Sequence, residues 1–360
     1  MRLHRLGFLN CLCRTLFTAS LFSLFGASAA SAAGPEPGSA GALVILSLGG
    51  KYQEAQSQYW FKPFAKDAGV NVKEGAGYNY AKLKVMIQSG NVEADIIDVS
   101  ADTVTALSHD GLLEDIDWSS IPAECQSGIP ADMKWSTAFP TIEWAMVMAY
   151  NTTKFPADKA PKSWADFWNT RDFPGKRSSI GATRPPVEQA ALAMNGDLSR
   201  LYPIDLAKAF DKLKSLSNDM IYADGYAQVA QNLATGEADM AIIPNGRVTP
   251  LLASHIPVGI NWNQHLTFPS FFVIPKGAAN KQNAMKFLSW VCQPSRLAQL
   301  AAPTNYGPIN RDAYRYISPE VAKLLPGNPE TAALGRIADA KWLSEARPDI
   351  ARRWAQMSLR

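Results

Sequence analysis

The sequence predicts a two-lobed α/β fold with mixed sheets flanked by helices, and three observations support this. Short apolar runs alternate with helical segments, as in a sheet whose faces are covered by helices. The chain has 360 residues, 47% hydrophobic and 19% charged, which is enough for two hydrophobic cores. The alternation runs in two series, which the apolar strands Trp144–Tyr150 and Ser270–Ile274 connect. A chain that crosses between lobes and returns predicts a cleft between them, a common place for a small-molecule site.

The first series of elements begins with an apolar run. Ala42–Leu48 is almost entirely apolar, as expected for a parallel strand covered on both faces, and Gly49–Tyr52 follows it as a loop. The elements predicted next are the helix Gln53–Ala68, the strand Val70–Lys73, the helix Tyr80–Ser89, the strand Asp95–Val99 and the helix Asp102–His109. Strands that alternate with helices in this way imply a parallel sheet with right-handed crossovers.

The second series has the same alternation. Its predicted elements are the helix Ser163–Trp168, the strand Ser178–Ala182, the helices Val187–Met194 and Ile204–Leu216, the strand Met220–Ala223, the helix Tyr226–Ala234 and the strands Asp239–Ile243 and Val258–Trp262. Pro244, Asn245 and Gly246 predict a tight turn, and Arg247 follows it. Ligands of open α/β sheets bind beyond the carboxyl ends of strands, so Arg247 lies where a guanidinium could bind a carboxylate.

The first 33 residues predict a secretory signal peptide. A basic start precedes the apolar segment Thr15–Phe25, small residues follow up to Ala33, and no acidic residue occurs before Glu36. The apolar segment is shorter than the ~20 residues that a membrane span requires. Without residues 1–33 the chain has 35 − 3 = 32 basic and 32 acidic side chains. This near-neutral balance does not favour nucleic acid as a partner.

The remaining reactive residues form no pattern typical of an enzyme or a metal site. His109, His255 and His265 are scattered, so neither a metal nor another cofactor is expected. Cys125 has no evident base beside it, which argues against catalysis. Cys125 and Cys292 could form a disulfide in an oxidising compartment, but their long separation gives no geometric support, and the pairing stays open.

Short motifs occur in a familiar order along nearly the whole chain after residue 33. They are Leu48–Tyr52, Lys82–Lys84, Ser89–Val92, Asp95–Val99, Glu143–Asn151, Lys162–Phe167, Phe173–Arg177, Ala234–Asp239, Asn245–Arg247, Ile274–Ala278, Tyr306–Pro308 and Asp339–Trp342 with Trp354. Each motif alone is weakly specific, but the ordered set resembles the periplasmic solute-binding proteins of ABC importers, of the spermidine/putrescine type (extracellular solute-binding protein family 1).

The resemblance implies a type II periplasmic-binding fold and a function. A monomer in the periplasm would close its lobes on a small-molecule ligand and deliver it to the permease subunits of an ABC transporter. Lobe 1 would comprise residues 34–147 and 268–360, and lobe 2 residues 148–267. A periplasmic sensor that docks on a membrane receptor would have the same ligand-binding lobes, so the membrane partner stays open.

The sequence departs from the polyamine-binding members of this family. Those proteins hold amines with carboxylates and place the methylene chain between aromatic rings. Here Phe268–Ser270 replaces a Trp-x-Asp-like element, Pro244 replaces a tryptophan before Asn-Gly, and Arg247 would repel a polyamine. These differences favour an amino-acid-like zwitterion such as γ-aminobutyrate, with a polyamine or, remotely, a ferric ion as alternatives.

The candidate ligand-binding residues lie at strand ends or on the connecting strands. Arg247 and Arg184 are expected to bind the carboxylate and Asp224 the amine, with Asp102 and Glu143 as alternative amine partners. The side chains expected to line the ligand are those of Tyr52, Trp144, Tyr226, Phe268 and Ser270. Surface ion pairs for the two arginines, and an N-cap role for Asp224 at the following helix, are the alternatives.

Overall fold

The computed structural model describes residues 41–358, and the predicted signal peptide lies outside them. The strands are β1 (Ala42–Ser47), β2 (Asn71–Ala76), β3 (Ile96–Ser100), β4 (Phe139–Asn151), β5 (Arg177–Ile180), β6 (Met220–Ala223), β7 (Met240–Pro244), β8 (Val258–Val273), β9 (Gly307–Pro308) and β10 (Arg336–Ile337).

Sixteen α-helices occur within the described residues. They are α1 (Gly50–Gln56), α2 (Lys62–Ala68), α3 (Tyr80–Gln88), α4 (Ala101–His109), α5 (Ala123–Gln126), α6 (Trp164–Trp168), α7 (Val187–Asn195), α8 (Leu206–Lys214), α9 (Tyr226–Ala234), α10 (Asn245–Ala253), α11 (Lys281–Val291), α12 (Pro294–Leu297), α13 (Ala301–Thr304), α14 (Pro319–Ala322), α15 (Pro329–Ala332) and α16 (Ala340–Ser358). A π-helical segment, Ser57–Phe61, joins α1 to α2, so the single helix predicted at Gln53–Ala68 is confirmed as one continuous helical run.

The ten strands form one mixed sheet in the order β2-β1-β3-β8-β4-β7-β5-β6, with β10 beside β8 and β9 beside β4. At one end β1 pairs in parallel with β2 and β3, and at the other β5 pairs in parallel with β6 and β7. Between these parallel groups β8 and β4 pair with each other in antiparallel orientation. The predicted alternation of strands and helices is therefore confirmed in both groups, and the two connecting strands join them.

Strand β8 is longer than the sequence pattern indicated. The sequence pattern predicts two strands, Val258–Trp262 and Ser270–Ile274, but both belong to β8, which pairs with β4 along most of its length. The polar residues between the two runs interrupt the apolar pattern that predicts a strand. Asn263 and Gln264 lie where the pairing with β4 shifts register, and their amide groups donate hydrogen bonds of 2.8 and 2.7 Å to backbone carbonyls of neighbouring segments. Pairing with β4 therefore outweighs the local polar pattern.

Strand β4 leads from one hydrophobic cluster to two others. Ile142, near its start, is buried in a cluster that contains β1, β3 and α11. Further along, Met146 and Met148 face a second cluster, and Val147 and Ala149 face a third. Because successive side chains of a strand point to opposite faces, the second and third clusters lie on the two faces of the sheet around β4, β7 and β5.

The tight turn predicted at Pro244–Gly246 is wrong, because helix α10 begins directly after β7. The buried side chain of Asn245, the first residue of α10, bonds to other parts of the fold. Its Oδ1 accepts a hydrogen bond of 3.0 Å from the Ala145 N–H, and its Nδ2 donates to the carbonyls of Asn305 and Leu324 at 2.8 and 3.0 Å. Asn245 therefore joins α10 to β4 and to two segments of the carboxyl-terminal part of the chain.

A disulfide joins Cys125 in α5 to Cys292, the residue after α11. The two Cα atoms are 5.4 Å apart, and both cysteines are fully buried in the first cluster. The pairing that the sequence left open is therefore present, because the fold brings together two segments that are distant in sequence.

Helix α16 packs across the end of the sheet that carries β5 and β6. The Trp354 ring meets the Tyr222 ring edge-on, with centroids 4.7 Å apart, and lies directly against the Gly181 backbone. A Cβ at position 181 would be 2.1 Å from the Trp354 ring, so only glycine permits this contact. Trp342 contacts Tyr202, with centroids 5.2 Å apart. Neither α16 nor another helix within residues 41–358 has the length and apolar character of a membrane-spanning segment.

Candidate ligand-binding site

A cavity of about 270 Å³ lies where the ends of β3 and β5 meet the middle of β4 and β8 and the start of α16. Five of the ten residues predicted to bind ligand line this cavity: Asp102, Trp144, Arg184, Tyr226 and Phe268. The fold thus brings together residues that are spread over most of the chain.

Two aromatic rings and a guanidinium form a stack in this cavity. Trp144 of β4 lies opposite Phe268 of β8, and their rings stack with centroids 4.7 Å apart and an interplanar angle of 29°. The guanidinium carbon of Arg184 lies 4.0 Å from the Phe268 centroid. The stack provides an apolar surface next to a fixed positive charge, since a guanidinium binds favourably to an aromatic face.

Arg184 is held by an acidic neighbour as well as by the stack. Its Nη2 lies 3.0 Å from Oε1 of Glu188, one turn along the chain, and the Glu188 side chain is only 2% exposed. Burial alone would lower the pKa of Arg184, but the electrostatic effects of Glu188, Tyr226 and Asp102 outweigh it and raise that pKa. Arg184 therefore remains charged, and its pairing is partly buried rather than a surface ion pair.

Asp102 lies in the first turn of α4, and both of its carboxylate oxygens have partners. Ser100 Oγ donates a hydrogen bond of 2.5 Å to Oδ1, and Arg347 of α16 forms an ion pair with Oδ2. Asp102 is therefore already paired, and an ammonium group of a ligand would compete with Arg347 for its carboxylate.

A row of tyrosines continues from the cavity. The Tyr52 and Tyr306 rings have centroids 5.7 Å apart. Burial is the main cause that raises the pKa of Tyr226, and Tyr306 adds to this rise electrostatically. Burial also raises the pKa of Tyr306, and the Arg247 guanidinium opposes this rise. Tyr306 lies against the start of α10, since a Cβ on Gly246 would be 2.6 Å from its ring. Tyr306, which the sequence analysis names only as part of a family motif, therefore links Tyr52 and Arg247 to the cavity.

Asp98 is a residue near the site that the sequence patterns did not indicate. It is fully buried in β3, and its Oδ2 accepts hydrogen bonds from Gln56 Nε2 at 2.7 Å and from the Tyr52 hydroxyl at 2.8 Å. Its Oδ1 has no hydrogen-bond partner among the described residues. Burial raises the pKa of Asp98 to about 7, although both hydrogen bonds oppose the rise. An acid inside an otherwise apolar strand was the signal available in the sequence.

Glu143 and Ser270 are buried outside the cavity. Glu143 is 2% exposed and forms an ion pair with Arg311, whose Nη2 lies 3.2 Å from Oε2. Burial raises the pKa of Glu143, and Arg311 opposes this rise. Ser270 lies opposite Ser100 in the pairing of β8 with β3, and its carbonyl accepts a hydrogen bond of 3.0 Å from Thr141.

Asp224 and Arg247 are exposed at the same edge of the sheet as Arg184. Asp224 follows β6 and Arg247 follows β7 by one helical turn, and both strands flank β5 in parallel. Residue Gly225, not Asp224, is the N-cap of α9, and no side chain caps that helix, so the N-cap alternative for Asp224 is wrong. Within residues 41–358, neither Asp224 nor Arg247 has an ion-pair or side-chain hydrogen-bond partner. The same residues contain no cluster of three histidine, cysteine or acidic side chains arranged to hold a metal.

Comparison with known proteins gives the family. A family model described as bacterial extracellular solute-binding protein matches residues 59–327. A gamma-aminobutyric acid-binding protein of Pseudomonas aeruginosa is 34% identical over 334 residues, which cover 90% of this chain and 92% of the relative. The spermidine/putrescine-binding periplasmic protein of Escherichia coli is 24% identical and covers 76% of this chain and 80% of its own.

Solved structures agree with this result. The structure of the Atu4243 GABA receptor is 33% identical, with a TM-score of 0.81, and the match covers 88% of this chain and 97% of the receptor. The predicted two-lobed periplasmic-binding fold is therefore confirmed, as is the predicted family. On the length of the family match and the identity to its relatives, this chain belongs to the bacterial extracellular solute-binding proteins.

Proposed function

We propose that this protein is the receptor of an ABC importer and binds a small amino-acid-like zwitterion, such as γ-aminobutyrate, between two lobes. Arg184, Asp224 and Arg247 carry the argument. They follow three neighbouring parallel strands, so they emerge at one edge of the sheet, where ligands of α/β folds bind. Because neighbouring strands are about 4.8 Å apart, β6 and β7, which flank β5, are about 10 Å apart. Groups of both signs at this edge suit a ligand that carries one carboxylate and one ammonium group.

Each predicted residue has a role in this proposal. Arg247 would bind the carboxylate, because its guanidinium has no other partner within residues 41–358 and can make two parallel hydrogen bonds. Asp224 would bind the ammonium group, because its carboxylate has the opposite charge and likewise has no other partner within residues 41–358. The stack of Trp144 and Phe268, with Tyr226 beside it, would cover the methylene groups. Named relatives at 33 and 34% identity that bind γ-aminobutyrate support this ligand class.

The lobes would be the segments 34–147 with 268–360, and 148–267. The first hydrophobic cluster lies within the first pair of segments, which supports this division, although α16 of that pair packs on Tyr202 and Tyr222 of the middle segment. Strands β4 and β8 would then be the hinge strands, since both pass from one segment to the other. Tyr52, on α1, is connected to the start of α10 through the Tyr306 ring and would face the ligand from the first lobe.

The proposal includes the cellular setting. The predicted signal peptide would export the chain to the periplasm, where it would act as a monomer and dock on the permease subunits of the transporter. The Escherichia coli relative carries the description periplasmic, which supports this location. A sensor role differs only in the membrane partner, and pull-down of permease subunits by the liganded protein separates the two.

Calorimetry with the exported protein tests the ligand. We would titrate γ-aminobutyrate, 5-aminovalerate, putrescine and spermidine into protein dialysed free of bound solute. Saturable binding of an ω-amino acid, tighter than that of either polyamine, supports the proposal. Tighter binding of putrescine or spermidine, or no binding of any ω-amino acid at millimolar concentration, overturns it.

A further inference from the structure

We propose that Arg347, on the carboxyl-terminal helix α16, determines the ligand selectivity of the site by neutralising Asp102 and so excluding ligands that carry two positive charges. The inference rests on the proposed function, because it concerns the same site. Asp102 is the residue at issue, since a carboxylate at the end of β3 is a natural partner for an ammonium group.

The charges next to the cavity are balanced without a ligand. A second cavity, of about 320 Å³, adjoins the first and is lined by Asp102, Arg184, Glu188 and Arg347. Arg184 pairs with Glu188, and Arg347 pairs with Asp102. Two cations face two carboxylates, so no carboxylate in this cavity is left for a second ammonium group of a ligand.

Arg347 is held in position by the packing of its helix. Trp342, five residues before it, packs on Tyr202, and Trp354, seven residues after it, packs against Gly181. Leu343, one turn before Arg347, lines both cavities. The guanidinium therefore comes from a helix that is fixed at both ends rather than from a free surface segment.

This ion pair is partly exposed. The Arg347 side chain is 44% exposed and that of Asp102 21% exposed, and an ion pair contributes less to folding free energy the more it is exposed. Selectivity is a difference between two affinities, and a charge that repels the wrong ligand is an effective way to obtain it. With Asp102 and Glu188 both paired, the second ammonium group of a diamine meets no available carboxylate in this cavity, whereas a zwitterion has no second ammonium group to place there.

The test removes the guanidinium and then the acid. Arg347→Met should strengthen putrescine binding about tenfold, because Asp102 becomes available, while γ-aminobutyrate affinity changes less than about threefold. The double variant Arg347→Met with Asp102→Asn should lose this gain. Arg352→Met is the matched control, since Arg352 lies on the same helix but bonds to Asp349 and Gln356. If Arg347→Met fails to fold by circular dichroism, Arg347→Gln replaces it.

The outcomes separate this inference from the proposed function. An unchanged ratio of putrescine to γ-aminobutyrate affinity in Arg347→Met, with γ-aminobutyrate bound by the wild type, overturns the inference alone. A gain of putrescine binding in Arg347→Met, with no ω-amino acid bound by the wild type, supports the inference and overturns the proposed function. Wild-type protein that prefers putrescine, or failure of every variant to bind either compound, overturns both.

Discussion

The acidic residues on one side of the candidate site have internal partners, whereas Asp224 and Arg247, after β6 and β7, have none among residues 41–358. Asp102 and Glu143 each pair with an arginine from the carboxyl-terminal part of the chain, Arg347 and Arg311. Charges that the fold has already paired are poor ligand partners, because a ligand must first displace the existing one. The comparison directs attention to the edge of the sheet formed by β5, β6 and β7.

At that edge the exposed charges have opposite signs. Asp224 and Arg247 lack an ion-pair partner in the part of the chain that the structure describes. Arg247 also lies in the first turn of α10, where the helix dipole favours an anion over a cation. Its position is therefore unfavourable without a ligand carboxylate and favourable with one.

The largest expected effect is on the free energy of unfolding and concerns Arg311, the partner of the buried Glu143. Arg311→Met should destabilise the protein by about 3–5 kcal/mol, because it leaves the buried Glu143 carboxylate without its partner. Urea denaturation of the exported protein measures this. Arg315→Met, on the same short helical segment but exposed, is the control. A loss for Arg311→Met no greater than that of the control would show that Glu143 does not depend on this pair.

The second effect is on ligand affinity and concerns Arg247. Arg247→Ala should weaken γ-aminobutyrate binding by roughly 2–5 kcal/mol, since the ligand carboxylate loses its charged partner. The same variant should leave the free energy of unfolding nearly unchanged, because Arg247 has no ion-pair partner within residues 41–358. Calorimetry and urea denaturation check the two halves of the prediction, with the exposed Arg200→Ala as control. Unaltered affinity would remove Arg247 from the site.

The third effect concerns Asp98, an acid whose partners are neutral groups rather than an arginine. Its pKa of about 7 in the folded protein lies above the ordinary value of 3.8. Between these values the folded protein binds more protons than the unfolded chain, so the Asp98 contribution to stability falls as pH rises from about 4 to about 7. Asp98→Asn, a neutral replacement, should remove this part of the pH dependence. Parallel pH profiles of the two unfolding free energies would contradict the assignment.

Sequence patterns located the strand ends well and the pairs between them poorly. Arg184, Tyr226 and Arg247 could be placed because each follows a predicted strand. The partners of Glu143 and Asp102 could not, because they lie 168 and 245 residues away in sequence. Only the folded chain brings such residues together, so the availability of each acid for a ligand had no local signal.

The two wrong predictions about the fold also arise from interactions between residues that are distant in sequence. The polar residues 263–265 interrupt the apolar pattern of β8, yet pairing with β4 keeps the strand continuous. Pro-Asn-Gly is typical of a turn. At Pro244–Gly246, however, a helix begins instead, and the buried amide of Asn245 bonds to three separate segments. Tertiary hydrogen bonds outweighed local preference in both places.

The disulfide closes a covalent ring that has a consequence for local unfolding. Cys125 and Cys292 both lie in the first hydrophobic cluster, and the chain between them, a sequence separation of 167, includes β4 to β8. If the elements around β5, β6 and β7 open, the bond still keeps α5 beside the end of α11. A tether of this kind lowers the entropy cost of re-forming the contacts between them. The disulfide therefore preserves the contact between α5 and the end of α11 even when the region around β5, β6 and β7 unfolds locally.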